Sequence, residues 1–160
     1  MQIIKNKAVV EDSWVHYSGT GDLPEGNVIL SLKDFREMAP QGRKIGVQLE
    51  PGDLADDIRD DLDRIDLIAI NFPTFMDGRG YSLAKILRDR YGYQKEIRAV
   101  GDIMRDQLFY LQRCGFNAYE IKAGRDIMDA VKGLEDFSVT YQVSADEKQP
   151  IYRRREISSQ

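Results

Sequence analysis

Residues 77–82, Asp-Gly-Arg-Gly-Tyr-Ser, combine an acid, a guanidinium and two glycines just ahead of a helical pattern. Glycines allow positive φ and close backbone approach, an arginine offers a planar fork of donors, and a helix start offers free N–H groups. Asp77, Gly78, Arg79, Gly80, Tyr81 and Ser82 therefore have the parts of an oxyanion or phosphate site. The same letters are also good turn chemistry: Ser82 is a suitable N-cap, and Arg79 can pair with a carboxylate such as Asp102. Both readings stand on the sequence.

A second group follows at Asp102, Arg105, Asp106 and Gln107. Asp102 reads as the N-cap of a helix with Met104, Leu108 and Leu111 on its buried face, a role worth about 1 kcal/mol without any catalysis. An arginine in a first helical turn opposes the helix dipole, so Arg105 is expected to have another task, in the same mouth as Arg79. Glu50, Asn71, Thr74, Lys122 and Arg125 also follow predicted strands.

These residues share a place because of the elements around them. Runs at 28–32, 44–50, 67–72, 96–101 and 118–122 are strand-like, and the last three long gaps between them carry apolar residues at helical spacing, as at Leu54, Ile58, Leu62 and Ile65. The class is α/β: repeated βα units with a mainly parallel sheet, an open sheet being favoured over a partial (βα) barrel because five or six strands are too few to close a standard one. In such sheets ligands bind beyond the carboxyl ends of the strands. An N-terminal hairpin, or a strand with a returning arm, is expected over 3–17 around Glu11-Asp12-Ser13. A further helix carries Ile127, Val131 and Leu134, and a last strand is expected at 138–143. Residues 1–143 are expected to form a single domain and 144–160 a flexible tail that includes Arg153, Arg154 and Arg155.

Composition narrows the chemistry. The 160 residues are 42% hydrophobic and 31% charged, with a mean hydropathy of −0.48, as in soluble globular proteins. No apolar run reaches the ~20 residues of a membrane span, and the N-terminus lacks a secretory apolar core, so a cytoplasmic protein is expected. A net charge of −4 offers no electrostatic basis for binding nucleic acid. One cysteine, Cys114, and one histidine, His16, exclude a Cys/His zinc cage, a two-histidine metal site and a within-chain thiol pair, so no metal site is expected. Cys114 reads as buried structure near a helix C-terminus, His16 as a surface or hairpin residue, and the acidic face Asp56, Asp57, Asp60, Asp61 and Asp63 as a solvated helix face.

Two longer motifs carry a resemblance: F-P-x-F-x-D-G-R-G-Y-S-x-A-x-x-L-R-x-R-Y-G over 72–92 and R-A-V-G-D-x-x-x-D-Q-L-x-x-L-x-R-C-G-F over 98–116. The chain resembles a bacterial family of unknown function described as "oxidoreductase probably involved in sulfite reduction", typically encoded beside sulfite reductase. The resemblance implies a process, sulfur assimilation, more than a reaction, and no flavin, NAD or metal motif accompanies it. It leaves two expectations. In the first, the protein is an accessory of the siroheme sulfite reductase system whose Arg79 and Arg105 loops receive a small oxyanion or an acidic surface of the reductase. In the second, it is a cofactor-dependent oxidoreductase, cofactor unknown, with Asp77, Asp102 or Asp106 as acid-base groups.

Overall fold

A computed structural model describes residues 1–134 apart from Ala39 and Phe75. The strand expected at 138–143 and the 144–160 tail lie outside the described residues. The strands are β1 (Gln2–Lys5), β2 (Ala8–Glu11), β3 (Val15–His16), β4 (Val28–Ser31), β5 (Ile45–Leu49), β6 (Leu67–Phe72), β7 (Glu96–Gly101) and β8 (Ala118–Tyr119). The α-helices are α1 (Leu32–Met38), α2 (Arg79–Lys85), α3 (Leu108–Cys114) and α4 (Ile127–Lys132). The fold is mixed α/β.

All eight strands form one sheet in the order β2-β1-β8-β7-β6-β5-β4-β3. From β3 to β8 neighbours are parallel, and only the β1–β2 hairpin and its junction with β8 are antiparallel. The order runs straight through the chain from β3 to β8, so the sheet has no point at which strand order reverses and is not doubly wound.

The N-terminal hairpin is present, but it turns at Asn6-Lys7 rather than at Glu11-Asp12-Ser13. Both residues have positive φ, 52° and 70°, as a two-residue type I′ turn requires. The second β-prone run becomes β3, at the opposite edge of the sheet from β2. Glu11 and Val15 are four residues apart, a reach of at most ~14 Å for an extended chain. Eight strands laid flat would put those edges about 34 Å apart. The sheet must therefore curl, and it does: it is open at both edges, yet bent into a half-barrel with Asp12-Ser13-Trp14 strapped across its concave side.

Period-two alternation then assigns the strand side chains to two surfaces. The convex face packs Val28, Leu30, Ile45, Val47, Leu49, Ile68, Ile70, Phe72, Ile97, Ala99 and Tyr119 in one cluster with Phe35, Ile58, Leu83, Leu87, Leu108 and Leu111 of the helical segments. The concave face has a smaller cluster, Ile29, Leu67, Ala69 and Val100, against Trp14.

Strands alternate with helical segments, but these differ in type. The acidic stretch Ala55–Arg64 is a 3-10 segment that buries Ala55 and Ile58, α2 runs into a π turn at Ile86–Arg90, and α1, unmarked by strong periodicity, starts as soon as β4 ends. Gly115 closes α3 in the left-handed conformation, φ 119°, where a residue with a Cβ would be strained.

Candidate functional site

The loop after β6 does not have the conformation expected of it. Neither Gly78 nor Gly80 has positive φ; Gly78 lies at −88° and caps α2, which begins at Arg79, so Ser82 is inside the helix rather than at its cap. Gly80 is buried, and a Cβ there would stand 2.6 Å from Phe72 Cζ, 2.7 Å from Phe72 Cε2 and 3.0 Å from Ile70 Cγ2. Its lack of a side chain serves the contact between helix and sheet, not a ligand.

Arg79 pairs with Asp77 rather than with Asp102. Its Nε and Nη2 donate to the two carboxylate oxygens of Asp77 at 3.1 and 2.8 Å, and its backbone N–H donates to Asp77 Oδ1 at 3.1 Å. Those bonds hold the Asp77 carboxyl below its ordinary pKa and raise that of the guanidinium. Asp77 thus acts as the acceptor that holds Arg79 at the start of α2. Tyr81 stacks between Phe72 and Tyr110, with ring centroids 5.4 and 5.1 Å away, and accepts a bond from Gln107 Nε2 at 2.9 Å.

The segment after β7 also departs from expectation. Asp102 is not the N-cap; a 3-10 turn, Arg105–Gln107, precedes α3, and the Gln107 Oε1 accepts the Met104 N–H at 2.7 Å. Asp102 instead accepts from Arg125 Nη2 at 3.0 Å, with Lys122 Nζ at 3.9 Å. Arg105 does have another task, which is to hold α4: its Nε donates to the Asp129 carbonyl at 3.1 Å and lies 3.5 Å from the carboxylate. Asp106 is exposed on the 3-10 turn.

Beyond the ends of β6, β7 and β8 lies a cleft of about 390 Å³, where loops of parallel strands converge. Asn71, Gly101, Asp102, Glu120 and Lys122 line it, so of the residues expected to bind a ligand only Asp102 faces it. Gly101 has φ +97°, and a Cβ there would fall 2.4 Å from Asn71 Oδ1 and 2.5 Å from the Phe72 carbonyl. The Asn71 amide donates to Glu50 at 2.8 Å, and Glu50 also accepts from Gln48 at 2.9 Å.

Sequence reasoning missed the residue around which the concave side is organised. Arg98, 1% exposed, donates from Nε to Glu96, from Nη1 and Nη2 to both oxygens of Asp12, and from Nη1 to Glu120, all at 2.8–2.9 Å. Lys5 adds a bridge to Glu96 at 3.0 Å, and His16 Nε2 lies 2.8 Å from Glu120 Oε2. Burial pushes the Glu120 carboxyl up, but the bonds from His16 and Arg98 outweigh it and hold the group below its ordinary pKa. These contacts tie the strap and the far-edge strand β3 to the centre of the sheet. The available signal was an arginine in the middle of the apolar strand E-I-R-A-V-G, since a buried charge requires partners.

Residues 46–152 match the model of the family "Bacterial protein of unknown function (DUF934)". The chain belongs to this family. No curated protein matches it. The family match agrees with the unknown-function family that the two motifs resemble, and its span contains the Asp77–Arg79 pair and every cleft residue named above.

Within this DUF934 chain, Asp12 and His16 precede the matched span, whereas their partners Arg98 and Glu120 lie inside it. Cys114 is buried in the main core, as expected from its position. His16 is a partly exposed strand residue, but it is bonded across the concave face rather than placed in a hairpin. Among the described residues no group of three or more His, Cys, Asp or Glu side chains is placed to hold a metal ion, and no helix is long and apolar enough to cross a membrane.

Proposed function

We propose that the protein is a cytoplasmic accessory of assimilatory sulfite reduction that docks onto sulfite reductase through the loops at the strand carboxyl ends. The process comes from the family resemblance. The choice of a protein partner over a bare oxyanion rests on one observation: the arginines of these loops are already engaged by carboxylates, Arg79 by Asp77, Arg105 by Asp129 and Arg125 by Asp102, while Met76 and Met128, next in sequence to Asp77 and Asp129, and Tyr110, in ring contact with Tyr81, are left in solvent. Met76 is 80% exposed, Met128 59% and Tyr110 55%. A small oxyanion would have to displace a carboxylate from its guanidinium. Arginine, methionine and aromatic side chains together, by contrast, are the composition enriched in the cores of protein interfaces.

Binding of the purified protein to purified siroheme sulfite reductase, measured by interferometry, tests the reading. Met76→Asp, Tyr110→Ala and Arg79→Ala should each weaken binding by roughly tenfold, the scale of an interface hot spot. No binding, or equal binding by all three variants, overturns it. Calorimetric uptake of sulfite by the protein alone, lost in Arg79→Ala, would favour the oxyanion instead.

A further inference from the structure

The cleft beyond β6, β7 and β8 lies between two clusters of charged side chains. On one side Asp12, Glu96 and Glu120 share Arg98 and Lys5, with the His16 imidazole also on Glu120. On the other side Asp102 faces both Arg125 and Lys122, one carboxylate against two cations, an excess of one positive charge among these residues. Glu120 of the first cluster and Asp102 and Lys122 of the second line the same cleft.

The remaining donors and acceptors have the same polarity. Glu120 uses only Oε2 to accept from His16 and Arg98, both at 2.8 Å, which leaves Oε1 to accept from a donor in the cleft. Lys122, with its side chain 58% exposed, lies no closer than 3.9 Å to Asp102 and keeps ammonium hydrogens for an acceptor. An anion alone would meet Lys122 but face the Glu120 carboxylate. A cation alone would meet Glu120 but face the Lys122 ammonium. A dipolar molecule satisfies both ends.

We propose that this cleft binds a small zwitterion of the amino-acid class, its ammonium on Glu120 Oε1 and its carboxylate on Lys122 Nζ. The volume of about 390 Å³ is at the lower end of small-molecule sites, ~300–1,000 Å³, which suits such a metabolite and is small for a dinucleotide. The inference does not depend on the docking reading, which is tested at Met76, Arg79 and Tyr110.

The only histidine touches Glu120, so its imidazole gives a single set of resonances that reports on the site. The full chain is titrated by NMR with each proteinogenic amino acid at millimolar concentration, and then, for those that bind, with the matching amine and the matching carboxylic acid. At least one amino acid should shift the His16 imidazole and the Gly101 and Lys122 amides together. Analogues lacking either charge should bind at least about tenfold more weakly, the scale of one charge-assisted contact. Lys122→Ala, an exposed change, should weaken binding by a similar factor, as should Glu120→Gln. If circular dichroism shows the Glu120 variant unfolded, Lys122→Ala decides. Silence across the whole panel, an amine or acid that binds as tightly as its amino acid, or unaltered binding by Lys122→Ala overturns the proposal.

Discussion

Replacing Arg98 by methionine keeps much of the side-chain volume and removes the charge. The guanidinium makes four bonds, to Glu96, Glu120 and twice to Asp12, and among the described residues it is the only partner that all three carboxylates share. Without it, Asp12 loses the two bonds that tie the strap to the sheet and keeps only the one from the Trp14 N–H, and three carboxylates are left close together in a largely buried place. The four bonds do not add, because desolvating the ions offsets most of their gross strength. The net cost of breaking a buried ionic cluster by removing one member is about 3–5 kcal/mol. For a chain of this size, with total stability on the order of 5–15 kcal/mol and an m-value near ~2 kcal/mol/M, the urea midpoint should fall by about 2 M.

The loss should also depend on pH. In the native protein Glu120 titrates below its ordinary value, so it contributes stability above the unfolded pKa and loses it as pH falls through the folded one. In the variant, burial still pushes Glu120 up while one of its two stabilising bonds is gone, so the penalty should be largest near neutrality and shrink as the carboxylate is protonated. Urea unfolding of both proteins at pH 7 and at about pH 4 measures this. A destabilisation under ~1 kcal/mol, or one that grows at acid pH, would refute the view that Arg98 holds the curled sheet together.

Three further substitutions separate local causes. Gly80→Ala gains helix propensity worth up to ~1 kcal/mol but drives a Cβ into Phe72 and Ile70, so a net loss of about 1–2 kcal/mol is expected by thermal unfolding. Gly78→Ala, whose nearest neighbour would be Tyr81 Cδ2 at 3.9 Å, should change stability by less than ~0.5 kcal/mol, and an equal loss in both would show that packing is not the reason for Gly80. Asp126→Ala removes the side chain that accepts the Met128 and Asp129 N–H groups at 2.9 and 3.3 Å, which should cost about 1 kcal/mol and raise hydrogen exchange in α4 before the sheet.

The central strands β4 to β7 were legible because each is a short, mainly apolar run, and such runs need nothing beyond local pattern to identify them. Helix ends were less so: Asp102 has the chemistry of an N-cap, but Arg125 and Lys122, more than 18 residues along the chain, compete for its carboxylate, and Gln107 caps the turn instead. The glycines of D-G-R-G suggested positive φ, whereas Gly80 is there to let Phe72 approach, a constraint set by a residue of another element. The Asp77–Arg79 pair is local, yet composition alone did not distinguish Asp77 from Asp102 as the partner of Arg79.

By itself the sequence determined the α/β class, the positions of the central strands β4 to β7, the membership implied by two long motifs, and the placement of Cys114 in the core. These follow from period, propensity and composition, which act over a few residues. Tertiary structure alone decided that β3 leaves the hairpin for the far edge, that the sheet curls around the strap, and that Asp12, His16, Glu96, Arg98 and Glu120 meet. Those outcomes depend on strand order and on the reach of a short link between edges, and the buried charges could be satisfied only where distant segments converge.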